Sequence, residues 1–228
     1  MSELSHRPVQ TLAIMLTALL LPAILFAAVT DISPGLLRYI NSRWGDGGLK
    51  QVQSWYQLMR TQESLSTPST TARQNEREEL SSDNAFWNRV PYYSDKVHWG
   101  IDDYWATPIE TLASNGGDCE DYSIGKYFTL KELGVPIQKL RIVYVRALSR
   151  NEPHMVLAYY PEPDADPLIL DNLNNEILPA SKRPDLYPVF SFNDDDLWSE
   201  QSRAKTGKSS QIRLWRDLLE KMAHEQKL

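Results

Sequence analysis

The chain has 228 residues, and 42% of them are hydrophobic, which is enough for one sizeable core. Its formal net charge of −6 argues against nucleic-acid binding, because that function usually requires a basic surface. The single cysteine excludes a disulfide within the chain.

An uncharged apolar run occupies residues 11–29 and follows a short segment that contains His6 and Arg7. This order is typical of a secretory signal, and we expect cleavage near Ala28. The cleavage site lacks a clean Ala-x-Ala pattern, and a run of this length also fits a membrane anchor. We therefore predict a signal peptide or membrane anchor over residues 1–28 and a single domain over residues 29–228.

Helical periodicity dominates the first half of this domain. Residues 33–60 carry two apolar faces separated by a GDGG sequence, and residues 61–74 are polar and predict a loop. A second helix is predicted over residues 75–90. After an irregular aromatic stretch, Pro108 begins a short helix that ends at Ser114.

The only cysteine lies in the sequence NGGDCEDYS at residues 115–123. Asp118 is a favourable N-cap, and Asp121 three residues later forms a capping-box-like pair with it. Helical spacing continues to Leu133, which places Cys119 at the first position of a helix, where the dipole favours the reactive thiolate. A lone cysteine is more often a small buried residue, but the preceding glycines and the flanking acids favour a reactive one.

The pattern changes to strands after Pro136. Residues 140–147, 154–160 and 168–173 are rich in β-branched and aromatic side chains, and short connections predict that these strands form an antiparallel meander. A fourth strand is predicted over residues 188–193, followed by an amphipathic tail helix. The expected fold class is α+β, with a helical N-terminal part and the cysteine helix packed on an antiparallel sheet.

A nucleophilic cysteine needs a base and a third group that orients the base. Two of the four histidines lie in the N-terminal signal and the charged tail, which leaves His98 and His154. His154 opens the second predicted strand, and Asp171 ends the third. Because the start of one strand lies beside the end of its antiparallel neighbour, Asp171 is within reach of His154. Cys119, His154 and Asp171 are therefore geometrically consistent with a triad, although each alone is more often an ordinary polar residue.

Residues 86–174 resemble the bacterial transglutaminase-like cysteine proteinases. The matching motifs are DYWATP at residues 103–108, GGDCEDY at residues 116–122, KYF at residues 126–128, HMVL at residues 154–157 and LDN at residues 170–172. The resemblance implies a papain/transglutaminase-like fold with Cys119, His154 and Asp171 as the catalytic triad.

The same resemblance implies a calcium-dependent periplasmic endopeptidase. Its expected substrate is a large cell-surface adhesin, cut in the N-terminal region at a di-alanine site, which releases the adhesin and promotes biofilm dispersal. Its expected regulator is an inner-membrane receptor for cyclic di-GMP that sequesters the protease.

Calcium is implied by the resemblance, with the carboxylates of Asp118, Glu120 and Asp121 beside the cysteine as ligands. It also has a physical rationale, because three negative charges within one turn of Cys119 repel one another and oppose thiolate formation. Clustered carboxylate oxygens suit Ca²⁺, whose charge would offset this repulsion. From the residues alone, acids that only stabilise the helix N-terminus fit equally well.

Two alternatives share these residues. A transglutaminase or amidase would use the same triad and pass the acyl group to a different acceptor. A non-catalytic calcium- and partner-binding module would keep the fold without the chemistry.

Overall fold

The structure, a computed structural model, describes residues 32–65, 72–202 and 204–228. The predicted signal or anchor at residues 1–28 lies outside these residues. Within the described ranges, no helix is both long enough and apolar enough to cross a membrane.

The described residues form six α-helices and one antiparallel sheet of seven strands. The helices are α1 (Pro34–Leu65), α2 (Ala72–Trp87), α3 (Asp95–His98), α4 (Pro108–Ser114), α5 (Cys119–Glu132) and α6 (Arg213–Glu225). The strands are β1 (Leu140–Ala147), β2 (Glu152–Tyr159), β3 (Leu168–Leu170), β4 (Leu178–Pro179), β5 (Leu186–Phe192), β6 (Leu197–Ser199) and β7 (Ala204–Gly207). The α+β prediction is confirmed.

Helix α1 consists of two helical stretches that meet at a kink. Gly45 lies at the kink, where its backbone is not helical and its φ is 71°. The loop predicted over residues 61–74 is wrong at both ends, because α1 continues to Leu65 and α2 already begins at Ala72. The polar residues there fit a helix since they are solvated, and the Thr61 hydroxyl donates to the Gln57 carbonyl at 2.8 Å.

The sheet has the strand order β4-β3-β2-β1-β5-β6-β7. The meander predicted for the first three strands is confirmed, and the predicted fourth strand is β5, which pairs with the other edge of β1. Strand β2 begins at Glu152, so His154 is its third residue and not its first. The reason is that Glu152 and Pro153 already pair with Ala147 and Arg146 of β1.

Helix α5 lies between the sheet and the N-terminal helices. One face packs with the sheet through Ile124 and Leu130, and Tyr122 belongs to the core formed with α1 and α2. The indole N–H groups of Trp55 and Trp87 both donate to the Thr129 hydroxyl, at 2.8 and 2.9 Å. Contacts on both sides fix the position of the helix that begins at the cysteine.

Gly125 lets α5 approach α2 closely, since a Cβ atom there would lie 2.5 Å from the Trp87 ring. We expect Gly125→Ala to lower the free energy of unfolding by about 1–3 kcal/mol, because the buried indole cannot move away without disturbing the core. Denaturant unfolding monitored by tryptophan fluorescence measures this. Gly47→Ala is the matched control, because a Cβ at that helical position meets nothing within 4 Å and should raise stability by up to about 1 kcal/mol. An unfolding midpoint that Gly125→Ala leaves unchanged or raises would contradict the close packing.

Candidate active site

Cys119 is the first residue of α5, as the sequence predicts. Its thiol donates to Glu120 Oε2 at 3.0 Å and lies against the backbone N–H of Met155 on β2. Met155 is next to His154 in the sequence, so the cysteine faces the strand that carries His154.

The two glycines before the cysteine are needed for close approach. A Cβ on Gly117 would lie 2.6 Å from Asp121 Oδ2, and a Cβ on Gly116 would lie 2.5 Å from the Tyr93 ring. The carbonyl of Gly117 also accepts the Tyr93 N–H at 3.0 Å. Because both positions lack side chains, the aromatic segment packs directly against the turn that enters α5.

His154 and Asp171 form a buried hydrogen-bonded pair at the edge of β2 and β3. His154 Nε2 lies 2.7 Å from Asp171 Oδ1, which also accepts the Leu173 N–H at 2.9 Å. Asp171 Oδ2 accepts from Arg183 Nη2 at 2.7 Å. This pairing commits Nε2 of His154 to the carboxylate, so Nδ1 is the ring nitrogen that does not face Asp171.

The pKa of Asp171 reflects these contacts. Burial raises this pKa, but the hydrogen bond and the charge of His154, together with the Leu173 N–H and Arg183, outweigh burial and lower the pKa to about 2. Asp171 is therefore an anion throughout the physiological range, as an orienting carboxylate requires.

His98, the other candidate base, lies in a different environment. Its Nε2 is 2.8 Å from the Ser114 hydroxyl, and its ring stacks on Tyr93 with centroids 5.5 Å apart. The structure thus brings His154, and not His98, to Asp171.

The acids near Cys119 are joined by two that the sequence analysis missed, Asp95 and Asp103. Carboxylate oxygens of Asp95, Asp103 and Glu120 lie within 4.8 Å of one another, as do those of Asp95, Asp118 and Asp121. Asp95 begins the short helix α3, 23 residues before Asp118, in a stretch without periodicity. Asp103 belongs to the DYWATP motif, which was the only sequence signal for it.

Two of these buried carboxylates have an oxygen without a partner. Asp95 Oδ1 and Asp118 Oδ1 accept no hydrogen bond from any described residue. In contrast, Asp121 is fully engaged, because Oδ1 accepts the Ala106 N–H at 2.8 Å and Oδ2 accepts the Asp118 N–H at 3.3 Å. Converging buried oxygens without donors are the ligands that a hard cation prefers.

Burial and mutual repulsion raise the pKa values of this cluster. Burial, partly offset by the Tyr104 N–H, raises the pKa of Asp95 to about 6. The pKa of Asp118 is raised by burial and then by Glu120, and the pKa of Asp121 by burial and then by Glu120 and Asp118. The group therefore carries an electrostatic cost that a bound cation would reduce.

The thiol of Cys119 is strongly affected by the same acids. Burial, the charge and hydrogen bond of Glu120, and the charge of Asp118 raise the pKa of Cys119 well above its ordinary value, against the opposing effect of the Met155 N–H. Burial and the charges of Glu120 and Asp118 therefore outweigh the expected effect of the helix dipole, which favours a thiolate.

Comparison with protein-family models matches residues 56–204 to the bacterial transglutaminase-like cysteine proteinases. Comparison with curated proteins gives no match. The chain is similar to three solved structures of LapG from Legionella pneumophila, each of which covers 82% of it. One structure is 39% identical, is itself covered to 96% and has a TM-score of 0.69. An EGTA-treated form has the same identity and coverage with a TM-score of 0.70, and a calcium-bound form is 38% identical, is covered to 97% and has a TM-score of 0.67. With the family model matching more than half of its length, the chain belongs to the bacterial transglutaminase-like cysteine proteinases.

Proposed function

We propose that this protein is a calcium-dependent periplasmic cysteine endopeptidase. Its substrate is a large cell-surface adhesin, which it cuts in the N-terminal region at a di-alanine site, releasing the adhesin and promoting biofilm dispersal. The observation that carries the proposal is the buried His154–Asp171 pair, held beside the helix N-terminus that presents Cys119. Membership of the cysteine proteinase family supports the reaction class.

The proposed reaction follows acyl-enzyme chemistry. Cys119 Sγ attacks the scissile carbonyl carbon while His154 takes the thiol proton, and the backbone N–H of Cys119 donates to the developing oxyanion. His154 then returns the proton to the leaving amine, and water attacks the thioester to release the second fragment. Asp171 holds the imidazole in the required tautomer throughout.

The carboxylates of Asp95, Asp103, Asp118 and Glu120 are the proposed calcium ligands, and the partnerless oxygens of Asp95 and Asp118 support this set. Asp121 remains a candidate, but its two backbone hydrogen bonds suit it better to holding the turn. When bound, Ca²⁺ supplies positive charge beside the thiol. A Glu120 carboxylate that held the ion would be a weaker acceptor for the thiol S–H, which would leave that proton to His154. The solved LapG structures in calcium-bound and EGTA-treated forms support a calcium site in this family.

The proposed partners follow from the family resemblance. An inner-membrane receptor for cyclic di-GMP would sequester the protease and so keep the adhesin intact. Pull-down of the purified protein by the receptor's periplasmic part tests this, and binding that does not inhibit adhesin cleavage would contradict it.

Mass spectrometry of the products from an N-terminal adhesin fragment tests the function. We expect two fragments that meet at a di-alanine site, formed in Ca²⁺ and absent in EGTA or with Cys119→Ala. A parallel reaction with a primary amine distinguishes acyl transfer, which would yield an amine-linked product. Fragments formed equally by Cys119→Ala would contradict the proposal.

A further inference from the structure

Arg183 is almost completely buried, with 5% of its surface exposed, and it contacts the candidate catalytic carboxylate directly. Its Nη2 donates to Asp171 Oδ2 at 2.7 Å, while Asp171 Oδ1 accepts from His154 Nε2 at the same distance. The carboxylate is thus held at both oxygens, by the histidine on one side and the guanidinium on the other.

We infer that Arg183 is a positioning residue for the reaction, which fixes the plane of the Asp171 carboxylate and through it the His154 ring. The inference rests on the proposed function, since it assigns His154 the role of base. The hydrogen bonds of the Arg183 guanidinium to described residues go to Asp171 and Asp185, so it would act on the reaction through Asp171.

The backbone at Arg183 suits this role. The residue follows a short 3₁₀ turn between β4 and β5, where its N–H donates to the Ala180 carbonyl at 2.9 Å and its carbonyl accepts the Leu186 N–H at 3.1 Å. Asp185 binds the outer side of the guanidinium, at 3.0 Å to Nε and 2.8 Å to Nη2. A planar guanidinium held by Asp185 presents a fixed donor to Asp171, which a lysine ammonium cannot do in the same geometry.

The competing explanation is that Arg183 and Asp171 form an ion pair that only stabilises the fold. Such a pair would lower stability when lost and leave kcat unchanged, whereas a positioning residue lowers kcat. Besides His154 and Arg183, the cation that faces Asp171 is Lys126 of α5, which is buried and also faces Asp83. Without Arg183, Asp171 Oδ2 would be a buried acceptor without its donor, and the carboxylate would keep its contacts with His154 and the Leu173 N–H at Oδ1. A carboxylate held at one oxygen fixes the plane of the His154 ring less firmly.

The test compares Arg183→Met and Arg183→Lys with Arg213→Met, which removes an exposed arginine that pairs with Asp217 at 2.9 Å. In Ca²⁺, kcat for the adhesin fragment should fall about 10–100-fold in Arg183→Met, while KM should change less than about threefold. This loss in kcat is smaller than the one expected when the orienting carboxylate itself is replaced. The kcat of Arg183→Lys should lie between those of Arg183→Met and wild type. Arg213→Met should match wild type.

The rate of Cys119 carboxymethylation at one fixed pH gives a second readout that needs no adhesin. We expect this rate to fall in Arg183→Met and, by a smaller amount, in Arg183→Lys, because a misplaced His154 is a poorer acceptor of the thiol proton. Lowered thermal stability with wild-type kcat and a wild-type carboxymethylation rate in either variant would overturn the inference, as would Arg183→Lys with fully wild-type behaviour if Arg183→Met fails to fold. Failure of the proposed function would look different, since wild type would not cleave the adhesin while the carboxymethylation rate would still report on Arg183.

Discussion

The Cys119→Ala variant is expected to cleave the adhesin fragment with a kcat/KM lowered by about 10⁴-fold or more, because it removes the proposed nucleophile, the only thiol in the sequence. His154→Ala should lose a similar factor, since the thiol is hydrogen-bonded to Glu120 and depends on the histidine to take its proton. The double variant should be no worse than either single variant, because the two residues act as one unit. Initial rates with purified proteins measure all three.

His98→Gln is the control for the choice of base. His98 pairs with Ser114 and stacks on Tyr93, away from Asp171, so its loss should change kcat/KM by less than about threefold. If His98→Gln were inactive while His154→Ala retained activity, the assignment of the base would be wrong.

Removal of calcium is expected to abolish cleavage, and Asp95→Asn should raise the Ca²⁺ concentration needed for half-maximal activity about tenfold or more, equivalent to at least about 1.4 kcal/mol of binding. The reason is that Asp95 supplies a buried oxygen that accepts no hydrogen bond from a described residue, and an amide oxygen lacks its charge. Isothermal titration with Ca²⁺ and the calcium-induced shift in Tm both measure binding without relying on activity.

Asp102→Asn is the matched control for Asp95→Asn. Asp102 lies in the same aromatic segment, but its side chain is 88% exposed and pairs with Lys96 at 3.0 Å. Its loss should leave calcium affinity within about twofold, as expected for an exposed ion pair. Equal effects of the two variants, or a Tm that Ca²⁺ does not change in wild type, would contradict the proposed calcium ligands.

The sequence predicts those parts of the fold whose signals are local. The bounds of β1 are as predicted, because its β-branched run is long and a turn follows it, and α5 begins at Cys119 because the glycines and Asp118 mark its start. Strands β4, β6 and β7 span only two to four residues and exist through pairing with neighbours, so no periodicity reveals them.

The same distinction applies to the site. His154 and Asp171 are predictable because the register of a short meander brings a strand start beside the end of its neighbour. Asp95 and Arg183 are not, since they lie in segments without periodicity and reach the site only through tertiary packing. The sequence predicts that the acids oppose thiolate formation, but the contact between Glu120 and the thiol required the structure, because it depends on a side-chain conformation.

Titration of the single thiol tests the central claim most directly. Cys119 can be carboxymethylated to increasing extents in Ca²⁺, with the modified fraction measured by intact mass spectrometry and the adhesin-cleaving activity assayed on the same samples. If Cys119 is the nucleophile, activity falls in direct proportion to the modified fraction and reaches zero at complete modification. Wild-type cleavage by fully carboxymethylated protein would contradict the account.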